Sequence, residues 1–141
     1  MAPPFLTELK LSGSYPLLWG VQVAATIQSI PGTQIVATAV VPNSQIVPSL
    51  GRNLSAGAAG TATVQLIEPG SMYGDRLNQV DFRVTKNFKV NRRTFRGMMD
   101  LYNLFNVSPV LNLNQRYGPA WQQPFIILPG RFAKFGVQVD F

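Results

Sequence analysis

Five stretches of the chain alternate apolar and polar residues with a period of two. Residues 77–90 show it most clearly: Val80, Phe82, Val84, Phe88 and Val90 fall on one side, and Gln79, Asp81, Arg83, Thr85, Asn87 and Lys89 on the other. Residues 94–105 set Phe95, Met99, Leu101 and Phe105 against Arg96, Asp100 and Tyr102. Earlier in the chain, residues 6–14 set Leu9 and Leu11 against Glu8, Lys10 and Ser12. Residues 20–29 set Val21, Val23, Ala25 and Ile27 against Gln22, Ala24, Thr26 and Gln28. The last stretch, 131–141, sets Ala133, Phe135, Val137, Val139 and Phe141 against Lys134, Gly136, Gln138 and Asp140. Successive Cβ atoms of a strand point to opposite faces, so this period means strands. The pattern predicts an all-β fold, an antiparallel meander of about five long strands.

Length narrows the reading. Globular strands typically run about five or six residues, whereas roughly 9–11 tilted residues cross a bilayer. Long strands with one continuous apolar face fit part of the wall of a transmembrane β-barrel. Alternation alone leaves a long-stranded soluble sandwich equally open. The connections favour the barrel. Tight links, YPLLW and NRR, alternate with long segments at 30–76 and 106–130. In a meander, alternate links emerge on the same rim, so both long segments share one rim and both short turns the other. Membrane barrels have this asymmetry, with short periplasmic turns and long extracellular loops. Within 30–76, QIVATAVV and TATVQLIE are expected to form a hairpin of their own.

Parity tests the pattern internally. The apolar residues are even-numbered in 77–90 and odd-numbered in 94–105, so opposed residues must have numbers summing to an odd value. A two-residue turn at Asn91 and Arg92 satisfies this and brings Arg83 opposite Asp100 as an ion pair. Lys86 is the misfit, because it falls on the apolar face. Its stem is expected to snorkel toward the short-turn rim, or a bulge to divert it.

Composition agrees with a wall. Apolar residues make up 46% and charged residues 13%, against about 25% charged in soluble domains. The formal charge is +6, which raises nucleic-acid binding, but the densest basic stretch, KNFKVNRRTFR, is interleaved with apolar positions. Neither histidine nor cysteine occurs. A Ser-His-Asp triad, thiolate metal sites and disulfides are thereby excluded. The six carboxylates show no metal-ligand spacing. Neither catalysis nor a cofactor is expected. MAPPFLTELK lacks the apolar core of a signal peptide.

Three stretches resemble a known family. GDRLNQVDFRVTKNFKV, GMMDLYNLFN and the terminal GRFAKFGVQVDF are similar to the C-terminal barrel segment of TonB-dependent outer-membrane transporters. KLSGSYPLLWGVQVAATIQSIPG resembles an earlier hairpin of the same family, in the branch with a carboxypeptidase-like regulatory domain. The resemblance implies a bacterial outer-membrane location and a share in energy-coupled uptake of a siderophore, vitamin or oligosaccharide. It implies outer-membrane lipid, the remainder of the barrel and its plug, the TonB system and the barrel-assembly machinery as partners, and no nucleic acid. Phe135, Val137, Val139 and Phe141 would form the assembly signal. Asp81, Arg83, Arg96, Asp100, Tyr102 and Lys134 would face the lumen, lining a polar path or meeting the plug, or simply pairing with one another as a hydrated wall. Tyr73, Tyr117 and Trp121 would contact ligand or pack the loops. Tyr15 and Trp19 would belong to an interfacial girdle. Such barrels have about 22 strands, so the chain is expected to be part of a longer product, with Met1 an internal or assigned start. A passive porin or adhesin fragment and a soluble basic β-domain binding nucleic acid or polysaccharide are the alternatives.

Overall fold

A computed structural model describes residues 6–141. In chain order its strands are β1 (Leu9–Pro16), β2 (Val21–Ile30), β3 (Thr38–Pro42), β4 (Thr61–Gln65), β5 (Leu77–Val90), β6 (Arg93–Tyr102), β7 (Val110–Leu113), β8 (Pro124–Ile127) and β9 (Phe132–Asp140). Helix α1 (Asn43–Leu50) lies between β3 and β4. The described chain divides into two compact units. One comprises residues 6–32, Asp75–Pro109 and Ile127–Phe141; the other comprises Thr33–Gly74 and Val110–Ile126.

The first unit is a five-stranded antiparallel sheet in the order β1-β2-β5-β6-β9. Spatial order follows chain order, as a meander requires. Each strand lies on an alternating stretch, with shifted ends. The first strand occupies 9–16 rather than 6–14, and the fourth ends at Tyr102, not at residue 105. Phe105 therefore leaves the apolar row and is exposed in the following turn. The cause is local: Asn103 and Asn106 take φ of 53° and 54°, a left-handed conformation that Asn tolerates and a continuing strand does not.

The short turns set the register. Val90 pairs with Arg93, so Asn91 and Arg92 form a two-residue turn, with Asn91 at φ 57°. The β1–β2 turn closes through Leu17 N–H donating to Val21 O at 2.7 Å. There a Cβ on Gly20 (φ 71°) would stand 2.7 Å from the Asn87 carbonyl oxygen, so only glycine fits. Pairing runs unbroken from Thr85–Met98 through Lys86–Gly97 to Asn87–Arg96. The alternative of a bulge at Lys86 is therefore corrected: the lysine stays in register on the apolar face.

That register sorts the side chains. Val21, Val23, Ala25 and Ile27 of β2 continue the row of Val80, Phe82 and Val84 in β5. Phe95, Met99 and Leu101 of β6 carry it to Val139, Phe135 and Ala133 of β9. Phe88 and Phe95 stack on this face with ring centroids 5.5 Å apart. No core covers it. The buried apolar residues among those described are Ala37 and Leu113, and both lie in the other unit. Phe135 and Val137 are 75% and 73% exposed, whereas Asp100 on the opposite face is 6% exposed. Neither face is covered, since Arg83, Lys134 and Gln138 are exposed as well, and Asp100 is the buried exception. Strands β1 and β9 each have one neighbour in the sheet, which leaves two open edges.

The second unit corrects the expectation of long loops. It contains the antiparallel ribbon β3–β4, with Thr38 opposite Gln65, at the place expected for the inserted hairpin. It also contains α1 and, with β8, the ribbon β7–β8, neither of which alternation announced. Helix α1 ends where Gly51 turns left-handed (φ 74°) and its N–H donates to Val47 O at 2.8 Å. Pro48 argues against a helix, yet it sits within α1's eight residues. Asn43, 4% exposed at the helix start, donates through Nδ2 to Asn53 Oδ1 and accepts Leu54 N–H through Oδ1. These bonds tie the helix to the segment that follows.

Asn91→Gly is expected to preserve the β5–β6 hairpin, and Asn91→Val to destabilise it by about 1–2 kcal/mol through its left-handed φ. Urea midpoints of the full chain refolded in detergent check this.

Candidate functional site

On the polar face the register builds transverse rows of charge. Arg83 is opposite Asp100, and Asp100 is opposite Lys134 across β6 and β9. Arg83 donates through Nε to Asp100 Oδ1 and through Nη2 to Oδ2, the second at 3.1 Å. This is the forked geometry that matches guanidinium to carboxylate. Arg83 remains half exposed while its partner's carboxylate is almost covered. Toward the short turns, Arg96 Nε donates to Asn87 Oδ1 at 3.0 Å, and Gln138 Nε2 donates to Asp140 Oδ1 at 3.0 Å. At the other end Tyr102 stacks on Phe132, with centroids 4.6 Å apart and an 18° interplanar angle. At the start of β1, Lys10 pairs with Glu8 at 2.6 Å.

Asp81, Arg83, Arg96, Asp100, Tyr102 and Lys134 therefore share one face, as the alternation predicts. An open depression of about 230 Å³ lies among Ala24, Thr26, Asp81, Arg83, Asp100 and Tyr102. Asp100 is paired across strands with Arg83, whereas Asp81 accepts from Gln79 Nε2 and from the Asn103 N–H, both at 2.9 Å. No three acidic side chains among the described residues gather as metal ligands.

A residue that alternation misses anchors one end of this face. Asn103 is 2% exposed. Its backbone N–H donates to Asp81 Oδ1 at 2.9 Å, and its Nδ2 donates to Val107 O and Pro129 O at 2.7 and 2.9 Å. Its Oδ1 accepts the Val107 N–H at 3.0 Å. Asn106 repeats the device, its Oδ1 accepting Arg131 N–H at 2.9 Å. The DLYNLFN stretch is thus a tie between β5, β6 and the start of β9. Two asparagines that interrupt an alternating run were the signal available for it.

The four residues expected to form the assembly signal divide. Phe135, Val137 and Val139 lie in the apolar rows, and Phe141 follows the strand, 94% exposed, with the Arg93 guanidinium 5.3 Å above its ring centroid. Tyr15 and Trp19 are exposed at the short-turn end, Trp19 with φ 59°. Two of the three loop aromatics, Tyr117 and Trp121, have side-chain contacts, and Tyr73 takes part through its backbone. Trp121 donates through Nε1 to Val36 O at 3.0 Å and tilts against Tyr117 at 6.0 Å, and Tyr73 bridges Gln34. The Tyr117 ring keeps an exposed surface.

In comparisons with known proteins, no family model, no curated protein and no solved structure matches this chain.

Asp100→Ala is expected to destabilise the folded chain by about 1–3 kcal/mol, because the fork is lost and Arg83 must rehydrate. Combined with Arg83→Ala it should cost less than the sum, with a coupling of about 1 kcal/mol in a double-mutant cycle. Asn103→Ala should cost about 2–4 kcal/mol, since it removes three side-chain hydrogen bonds and leaves alanine at a left-handed φ. Detergent-phase urea titrations read all of these variants.

Proposed function

We propose that the chain forms part of the wall of a bacterial outer-membrane β-barrel, within a TonB-dependent transporter for a scarce nutrient. One observation carries the membrane reading: the five-stranded sheet leaves its apolar face uncovered while Asp100 is nearly buried on the polar face. In water, a continuous apolar surface of this kind is an aggregation liability. In a bilayer it faces acyl chains, and the charged face lines a hydrated lumen. Strand lengths of eight to fourteen residues suit a tilted crossing.

Two features support the orientation. The two-residue turn and the β1–β2 turn occupy one end of the sheet, and both long segments leave from the other. Short turns face the periplasm in outer-membrane barrels. Trp19 is held in a backbone conformation rare for a bulky residue and is 85% exposed at that end, where an interfacial aromatic would sit. The open edges of β1 and β9 are where further strands complete the wall, since each unpaired backbone group in hydrocarbon costs several kcal/mol.

The transporter class rests on the resemblance of residues 74–90, 97–106 and 130–141 to that family's barrel end. In that setting the polar face meets the plug or the permeating solute, and energy coupling enters through the TonB system. The siderophore, vitamin and oligosaccharide classes are the substrates this reading admits.

The natural chain has no cysteine, so single substitutions report each face separately. In vesicles holding the barrel that the chain completes with its neighbouring strands, Cys at Phe135 or Val137 is expected to resist a membrane-impermeant maleimide, and Cys at Lys134 or Gln138 to react. Equal aqueous reactivity at all four positions would overturn the membrane reading. The coding sequence upstream of this chain tests the transporter class: a plug and an energy-coupling box support it, and their absence there favours a passive porin.

A further inference from the structure

The apolar face carries two charges within its five strands, Lys86 and Arg93, and both are positive. The strand carboxylates Asp81, Asp100 and Asp140 all lie on the opposite face. Arg93 is occupied by the Phe141 ring. Lys86 makes neither of the ion pairs found among the described residues. Its place is specific: it is opposite Val21, the first residue of β2, on one side and Gly97 of β6 on the other. It therefore stands level with the end of the β1–β2 hairpin, toward the short turns.

Gly97 makes room beside it. A Cβ there would meet nothing within 4 Å. The missing side chain opens a groove of about 410 Å³ walled by Val84, Met99, Phe135 and Val137, with Lys86 as its single charged residue. Direction matters as much as content. Lys86, Gly97 and Val137 form one transverse row, and Val84, Met99 and Phe135 form the next row away from the short turns. The cation thus lies toward the rim and the apolar walls toward the middle of the sheet. An inorganic anion would use only the lysine, and a bare acyl chain only the walls.

We propose that this groove seats one anionic glycerophospholipid of the leaflet at the short-turn end. Its phosphate rests on the Lys86 ammonium and one acyl chain lies over Gly97 between Met99 and Phe135. The inference rests on the membrane-wall reading. Head toward the rim and tail toward the midplane is the orientation a lipid of that leaflet already has, so binding requires no inversion. Basic pockets on membrane proteins hold anionic headgroups by this combination.

The test inserts the barrel that this chain completes with its neighbouring strands into vesicles of phosphatidylcholine with and without phosphatidylglycerol, extracts it gently, and counts retained lipid by native mass spectrometry. The wild-type chain should retain one phosphatidylglycerol with an occupancy about fivefold above that of Lys86→Gln. Gly97→Val keeps the charge and fills the groove, and it should lose the lipid equally. Arg92→Gln removes a charge at the turn tip and should retain it. Equal retention by wild type, Lys86→Gln and Gly97→Val overturns the site, and so does an equal loss in Arg92→Gln, which would signal general surface charge. Insertion without selective retention removes the lipid site alone. Recovery of the chain in the aqueous phase from both vesicle types removes the membrane reading together with it.

Discussion

Register governs the larger unit. Because Val90 pairs with Arg93, every even-numbered residue of β5 opposes an odd-numbered residue of β6. The same odd-sum parity couples β2 to β5, whereas β6 and β9 pair with even sums. Side chains alternate with a period of two, so a slip of one residue would exchange the faces of an entire strand. Arg83 would then face apolar neighbours, and Phe82 and Val84 the charged rows. The two-residue turn at Asn91 and the forked Arg83–Asp100 pair fix this register from opposite directions, one through backbone and one through side chains.

A sheet open on its apolar face follows. In a soluble sheet the apolar face would be covered and the charges solvated. Here Phe135, Val137 and Phe141 stand exposed, while Asp100 and Asn103 are the sheet unit's buried side chains among the described residues. Cohesion comes from the ladder of backbone hydrogen bonds, cross-strand ring stacks and paired charges. The remaining apolar surface has no partner within the unit. A medium of low polarity would supply one, and the absence of carboxylates from the strands' outward face suits the same setting.

Much of this was legible beforehand because alternation, parity and turn length are properties of neighbouring residues. The five strands lie on the five alternating stretches, and Arg83 meets Asp100 where the parity of the turn places it. Other features resisted that reading for physical reasons. Asn103 breaks the alternation, yet its value comes from Asp81, Val107 and Pro129, the first and last of which are distant in the chain. Helix α1 hides behind Pro48, whose missing N–H disfavours a helix in general but is tolerated in so short a one. The Trp121 hydrogen bond to Val36 O spans 85 residues, a pairing that no local pattern announces.

The sequence by itself determined the strands, the sorting of their faces and the pairing across the tight turn, since each depends on a local period and a count of turn residues. The tertiary structure decided where β6 stops and how the long segments fold into ribbons and a helix. It also decided that Lys86 stays in register beside the open space over Gly97. Those outcomes depend on hydrogen bonds and free volume contributed by residues far apart along the chain, and no local pattern encodes them.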